Sequence, residues 1–279
     1  MLQTITTWDD YRTRVREFDA VLEHAKALGN TLAALQATTL HAVYGEQVFV
    51  KLLTHCMALR ALVVDPNRRT PSDLWNVTSM CAIARCVVEA HDAFEYIAGH
   101  DVTPAERGFR TVLWELHDQT RRLKLPGEAN TADVQAEAYR LQTALEHHEF
   151  LPALRTELRD ELLRRITKGE PPAFHLSQRQ RCVLSNVNAD WYGDVTLRLS
   201  QYVHTLPSSI RELERLDPDA PAALNLMALP LLATLAFLAR TTLGMTQLML
   251  GKAPSPPSRT GRTMQLWRTL AERGEWPAE

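Results

Sequence analysis

The segment Arg198-Leu-Ser-Gln-Tyr-Val-His204 runs into Thr205-Leu206-Pro207, so a histidine stands where helical periodicity gives way to a turn. A histidine titrating near neutral pH can take the proton from a ribose 2′-hydroxyl, and an arginine can hold a phosphate as charge builds on it. Together they could cleave RNA without a metal. The alternative is that His204 favours the negative end of the preceding helix while Arg198 is solvated or ion-paired. Spacing alone does not choose between the two. With 26 Arg and 10 His in the chain, chance supplies about three pairs at such a separation. Four occur: Arg85 with His91, Arg110 with His117, Arg140 with His147, and Arg198 with His204. The first three lie inside unbroken helical periodicity, and His204 is set apart by standing at a helix end.

A second constellation lies in Cys81-Ala-Ile-Ala-Arg85-Cys-Val-Val-Glu89-Ala-His-Asp92. At about 100° per residue, Arg85, Glu89 and Asp92 fall within about 60° of one another and form one polar stripe on an apolar helix. Charges in such surroundings need partners, because unpaired burial is costly. Either the stripe faces the His204 region, with Glu89 orienting the imidazole and Arg85 adding phosphate binding, or Arg85 and Glu89 pair to set helix register. His91 points away from the stripe, as a boundary residue. Tyr202, one turn beyond Arg198, is a supporting residue. In Gln178-Arg179-Gln180-Arg181, the two arginines are candidate RNA contacts. The charges from Arg155 to Lys168 alternate in sign and read as a solvated face. No metal or other cofactor is expected: His147 and His148 diverge by about 100°, and Cys81 and Cys86 lack a further ligand at suitable spacing.

Helical periodicity covers nearly the whole chain and predicts an all-α, up-and-down bundle of eight or nine helices. Thr7 caps the first helix, with Asp9 and Asp10 in its first turn, and a second helical region runs from Gly29-Asn30 to about Val64. Another extends from about Asp73 to Ala98. Thr103-Pro104-Ala105-Glu106 is a capping box with proline in the first turn, opening a helix to about Leu123. Further helices are expected over 131–147, 149–168, 190–204, from Ser209, and from Ala220 to before Gly251, while 169–188 reads as irregular. Residues 1–251 are expected to form one domain with its core at about 30–250. Residues 252–262, rich in Pro and Ser, read as a linker, and 263–279 as a short terminal helix and tail.

The formal charge of −2 removes the option of a globally basic nucleic-acid binder and leaves only a local patch. The four cysteines form no CxxC pair and read as small buried hydrophobes in a reducing compartment. The first residues lack the basic and apolar regions of a signal peptide, so the expected location is the cytoplasm. Residues 220–239 carry no charge and approach membrane-spanning length, but Asn225, Pro230, Thr234 and many alanines favour a buried bundle helix.

Two blocks, Ala84-Arg85-Cys-Val-Val-Glu89 and Trp191…Leu199-Ser200-Gln201-Tyr202-Val203-His204, resemble a bacterial all-helical family, a domain of unknown function similar to the HEPN superfamily. The resemblance spans residues 30 to 245. It implies a ribonuclease of a toxin or defence system, with RNA as substrate and the Arg198 and His204 of each protomer meeting at a homodimer interface. Arg85 and Glu89 then match the apolar-helix pair. Leu199 departs from the pattern, since a polar residue commonly follows the arginine, and many HEPN-like proteins are non-catalytic. Two expectations therefore stand together: a homodimeric, metal-independent endoribonuclease, and a non-catalytic helical module that binds a protein partner or small ligand.

Overall fold

The Thr7 hydroxyl accepts a hydrogen bond from the Asp10 amide and opens α1 (Trp8–Ala33), whose first turn holds Asp9 and Asp10 against the positive end of the helix dipole. The chain continues through α2 (Leu40–Leu62) and α3 (Asn76–Phe94), which a π-helical turn, Glu95–Gly99, prolongs. Thr103 caps α4 (Pro104–Arg122) through the Glu106 amide, with Pro104 in the first turn. Then follow α5 (Thr131–Glu146), α6 (Thr156–Thr167), α7 (Gln178–Leu184), α8 (Ala189–Val203), α9 (Pro207–Arg215), α10 (Pro221–Leu248) and α11 (Ser258–Arg273). The structure is a computed structural model and describes residues 4–33, 37, 39–65, 73–127, 131–217, 220–249 and 251–275. It is all-helical, with no strand among the described residues.

The described residues form eleven α-helices where the pattern predicts eight or nine. The most instructive addition is α7, inside the stretch expected to be irregular. Ser177 caps it by accepting from the Gln180 amide while the Gln180 side chain accepts from the Ser177 amide, a complete capping box. Helix α1 runs through Gly29 and Asn30 instead of breaking there, and a Cβ on Gly29 would lie 3.2 Å from Leu53 Cδ1 of α2. Pro207, not Ser209, opens α9, and α11 begins five residues before the expected Thr263.

Helices α3 and α10 form the centre. Helix α3 packs against α2, α8 and α10, and α10 also against α1, α2 and α11. Helix α10 is apolar on every side, and 78% of its most apolar 18-residue window is buried within the protein. Helix α11 belongs to this core, with Trp267, Leu270 and Ala271 fully buried. A smaller core joins α4, α5 and α6 through Phe109, Leu113, Leu141, Leu145, Leu162 and Ile166. Cys56, Cys81 and Cys182 are buried as expected, whereas Cys86 is exposed.

A polar network occupies the point where α3 turns into its π-helical end. Arg110 is fully buried and donates to Glu106 Oε1 from Nε (3.0 Å) and Nη2 (2.5 Å), and from Nη1 to the Tyr96 carbonyl (3.1 Å) and His100 Nδ1 (2.8 Å). Because a guanidinium only donates, His100 carries its proton on Nε2 and gives it to Ser185 Oγ at 2.8 Å. Burial, reinforced by Arg110, Arg107 and Arg181, pushes His100 down to about 3. His175, hydrogen-bonded to the Tyr96 hydroxyl at 2.7 Å, is likewise pushed to about 3 by burial and then by Arg110. His91 is no boundary residue. It is buried against Thr241 Oγ1 (2.9 Å), and burial, then Arg240 and His100, hold it well below the usual imidazole range. Partly buried Glu95 moves the other way: desolvation lifts its carboxyl to about 7, with Arg240 opposing and Asp92 adding to the rise.

Candidate functional site

Helix α8 is anchored at its start, and its last turn is tied to α9 through Tyr202. The Asn188 side chain caps it by accepting from the Asp190 and Trp191 amides (3.1 and 2.9 Å), while the Asn188 amide donates to the Ala271 carbonyl of α11 (2.8 Å). Trp191, Val195, Leu199 and Tyr202 then face inward at helical spacing. Leu199, the residue that departs from the family pattern, is fully buried in the core. The helix stops at Val203, and His204 follows in an extended conformation, its amide still bonded to the Ser200 carbonyl. Its ring is exposed and, among the described residues, makes no hydrogen bond.

Arg198 is also exposed, but it borders a cavity of about 400 Å³ enclosed by α8, α9, α10 and the segment before α1. His204 lies outside that lining, so the structure does not bring the two together around one cavity. Val195, Leu226, Leu229 and Leu232 supply apolar wall, and Asp194, Arg198, Gln201, Glu212 and Asn225 supply polar wall. Two hydrogen bonds shape it: the Tyr202 hydroxyl donates to Glu212 Oε2 (2.8 Å), and the Ile5 amide donates to Asn225 Oδ1 (3.3 Å), laying the N-terminal segment against α10. Burial and then the Glu212 contact raise the Tyr202 phenol, keeping it neutral. Trp191 also lines the cavity with part of its ring, while its indole N–H is buried away from solvent with no hydrogen-bond acceptor among the described residues.

The polar stripe of α3 divides in two. Arg85 and Glu89 form an i,i+4 pair at 3.5 Å on the outer side, where Glu89 remains 69% exposed, so the pair is a weak surface interaction. Asp92 turns inward and accepts from the Tyr192 hydroxyl (2.7 Å) and Arg181 Nη2 (3.1 Å). Burial still raises its carboxyl, against both partners. Arg181 is thereby committed: it also donates to the Leu176 carbonyl (3.0 Å) and lies over the Phe174 ring at 4.5 Å. Of the two arginines expected at an RNA surface, Arg179 is exposed and Arg181 is held inside by Asp92.

A second cavity, of about 590 Å³, lies between the start of α2, the π-helical turn and the end of α10. Several of its polar groups are already engaged. Arg107 donates to the carbonyls of Ile97, Ala98 and His100, and His100 is held between Arg110 and Ser185. The first cavity is distinguished by Asp194 and Arg198, which make no ion pair among the described residues. The sequence pattern marks Asn225 only as a polar break in an apolar helix, whereas the structure sets it in the cavity wall beside Glu212. No group of three or more metal-ligating side chains occurs among the described residues. Comparison with protein-family models, curated proteins and solved structures finds no match for the chain.

Proposed function

We propose that this protein is a ligand-binding helical module whose site is the cavity between α8, α9 and α10. The observation that carries this reading is a cavity that is apolar on one side, along the leucines of α10, and polar on the other, where Asp194 and Arg198 make no ion pair among the described residues. At about 400 Å³ the cavity falls in the range of small-molecule sites, about 300–1,000 Å³, and its mixed lining suits a compact amphipathic ligand. The test is occupancy by anilinonaphthalene sulfonate, a dye that fluoresces on entering apolar sites. Leu229→Trp, which fills the cavity from α10, is expected to abolish the signal while leaving the thermal midpoint nearly unchanged. Equal fluorescence from the variant refutes the site.

A second reading, metal-independent RNA cleavage by Arg198 and His204, is favoured by the exposure of both side chains, one in the last turns of α8 and the other just beyond its end. It predicts EDTA-resistant cleavage that leaves 2′,3′-cyclic phosphate ends and is lost in His204→Ala. Intact RNA, or equal cleavage by that variant, excludes it.

A further inference from the structure

The charges around the α8 cavity define the chemistry of what it would hold. Arg198 and Asp194 sit one turn apart on α8, in the order and spacing that favours an i,i+4 ion pair, yet among the described residues neither makes one. Each charge is therefore open to an outside partner. Two carboxylates, Asp194 and Glu212, stand against one guanidinium. A simple anion would meet net repulsion, and a simple cation would leave Arg198 unused. Val195, Leu226, Leu229 and Leu232 need an apolar body to cover them.

We propose that the cavity binds a small zwitterion with an apolar body, of the class of hydrophobic α-amino acids. Its carboxylate is received by Arg198, its ammonium by Asp194 and Glu212, and its side chain by the leucines of α10. This rests on the reading of the cavity as a ligand site.

The test compares three probes that share a phenyl body in calorimetric titration of the full chain: L-phenylalanine, 3-phenylpropionate without the amine, and phenethylamine without the carboxylate. Phenylalanine is expected to bind at least about tenfold more tightly than either of the others, because each truncated probe leaves polar groups of the site unpaired. Arg198→Gln should erase its advantage over phenethylamine, and Asp194→Asn should reduce its advantage over phenylpropionate. Equal binding of phenylpropionate or of phenethylamine overturns the zwitterion assignment and leaves the cavity as an acid or amine site. Dye binding that is sensitive to Leu229→Trp, with none of the three probes bound, overturns the amino-acid class while the ligand site stands. Failure of the dye and the probes together overturns both.

Discussion

Lowering the pH from 6.5 to 5 is expected to destabilise the fold by about 2 kcal/mol or more, through buried histidines. His100 and His175 are 2% and 6% exposed, and the folded protein holds both at about 3. Once unfolded, each binds its proton near 6.5. Between pH 6.5 and 3 the unfolded state therefore takes up protons that the folded state refuses, so the stability each group provides is present above 6.5 and lost as the pH falls. At about 1.4 kcal/mol per unit, the loss by pH 5 is about 2 kcal/mol per histidine. Glu95 acts in the opposite sense. Its value rises from 4.5 to about 7 on folding, so the folded state takes up the proton first and gains about 2 kcal/mol over the same interval. Glu95 offsets one histidine, the other remains, and His91, also depressed, adds to the loss. Against a total stability of about 5–15 kcal/mol this is a large share, and it appears before ordinary carboxylates titrate. Urea unfolding followed by circular dichroism from pH 7 to pH 5 measures it. His100→Gln, whose amide can accept from Arg110 and donate to Ser185, should reduce the loss by about 2 kcal/mol. Stability that is flat or rising from 6.5 to 5, or an unchanged pH slope in His100→Gln, refutes the argument.

Three further outcomes are expected from urea or thermal unfolding. Arg110→Leu should cost about 3–5 kcal/mol, because it strands Glu106, the Tyr96 carbonyl and His100 Nδ1 around a vacated charge; a cost below 1 kcal/mol would mean the network adds little. Trp267→Ala should cost about 3–5 kcal/mol, since its side chain is fully buried in the main core; a near-neutral result would place α11 outside the cooperative unit. Gly274→Ala should cost about 1–3 kcal/mol, because Gly274 has φ of 77° and a Cβ there would meet Asn188 Cγ at 2.8 Å. Unchanged stability would show that the α8 cap and the end of α11 are not coupled through this contact.

What was legible in the sequence was local. The end of α8 at His204 follows from Pro207 three residues on and from the loss of periodicity, and Thr103 declares α4 as its cap, although the other half of the expected box is absent because Glu106 turns to Arg110. Helix α7 was legible by the same rule, since Ser177-Gln-Arg-Gln180 is a capping-box pattern, but Pro171 and Pro172 upstream gave the stretch the character of a loop. Partners far apart in the chain were not legible. Spacing puts Arg85, Glu89 and Asp92 on one stripe, and it does so correctly in angle. Which member turns inward depends on Arg181 and Tyr192, which lie 89 and 100 residues from Asp92.

The same limit explains why the arginine and histidine of α8 invite a paired role that spacing cannot supply. On an unbroken helix, positions six apart differ by about 240°, so Arg198 and His204 begin on different sides, and α8 remains helical through Val203. Positions 191, 194, 195, 198, 201 and 202 are instead linked by steps of three and four, and these are the α8 residues that line the cavity. The chemistry-bearing arginine therefore has its neighbours at helical spacing, Trp191 and Asp194 before it and Tyr202 after it, while the opposing wall comes from α9 and α10. A periodicity search reads the Trp191, Val195, Leu199 and Tyr202 stripe as core, which is true of its burial. It misses that the edge of that stripe borders a void, because a void is made by the helices that fail to fill it.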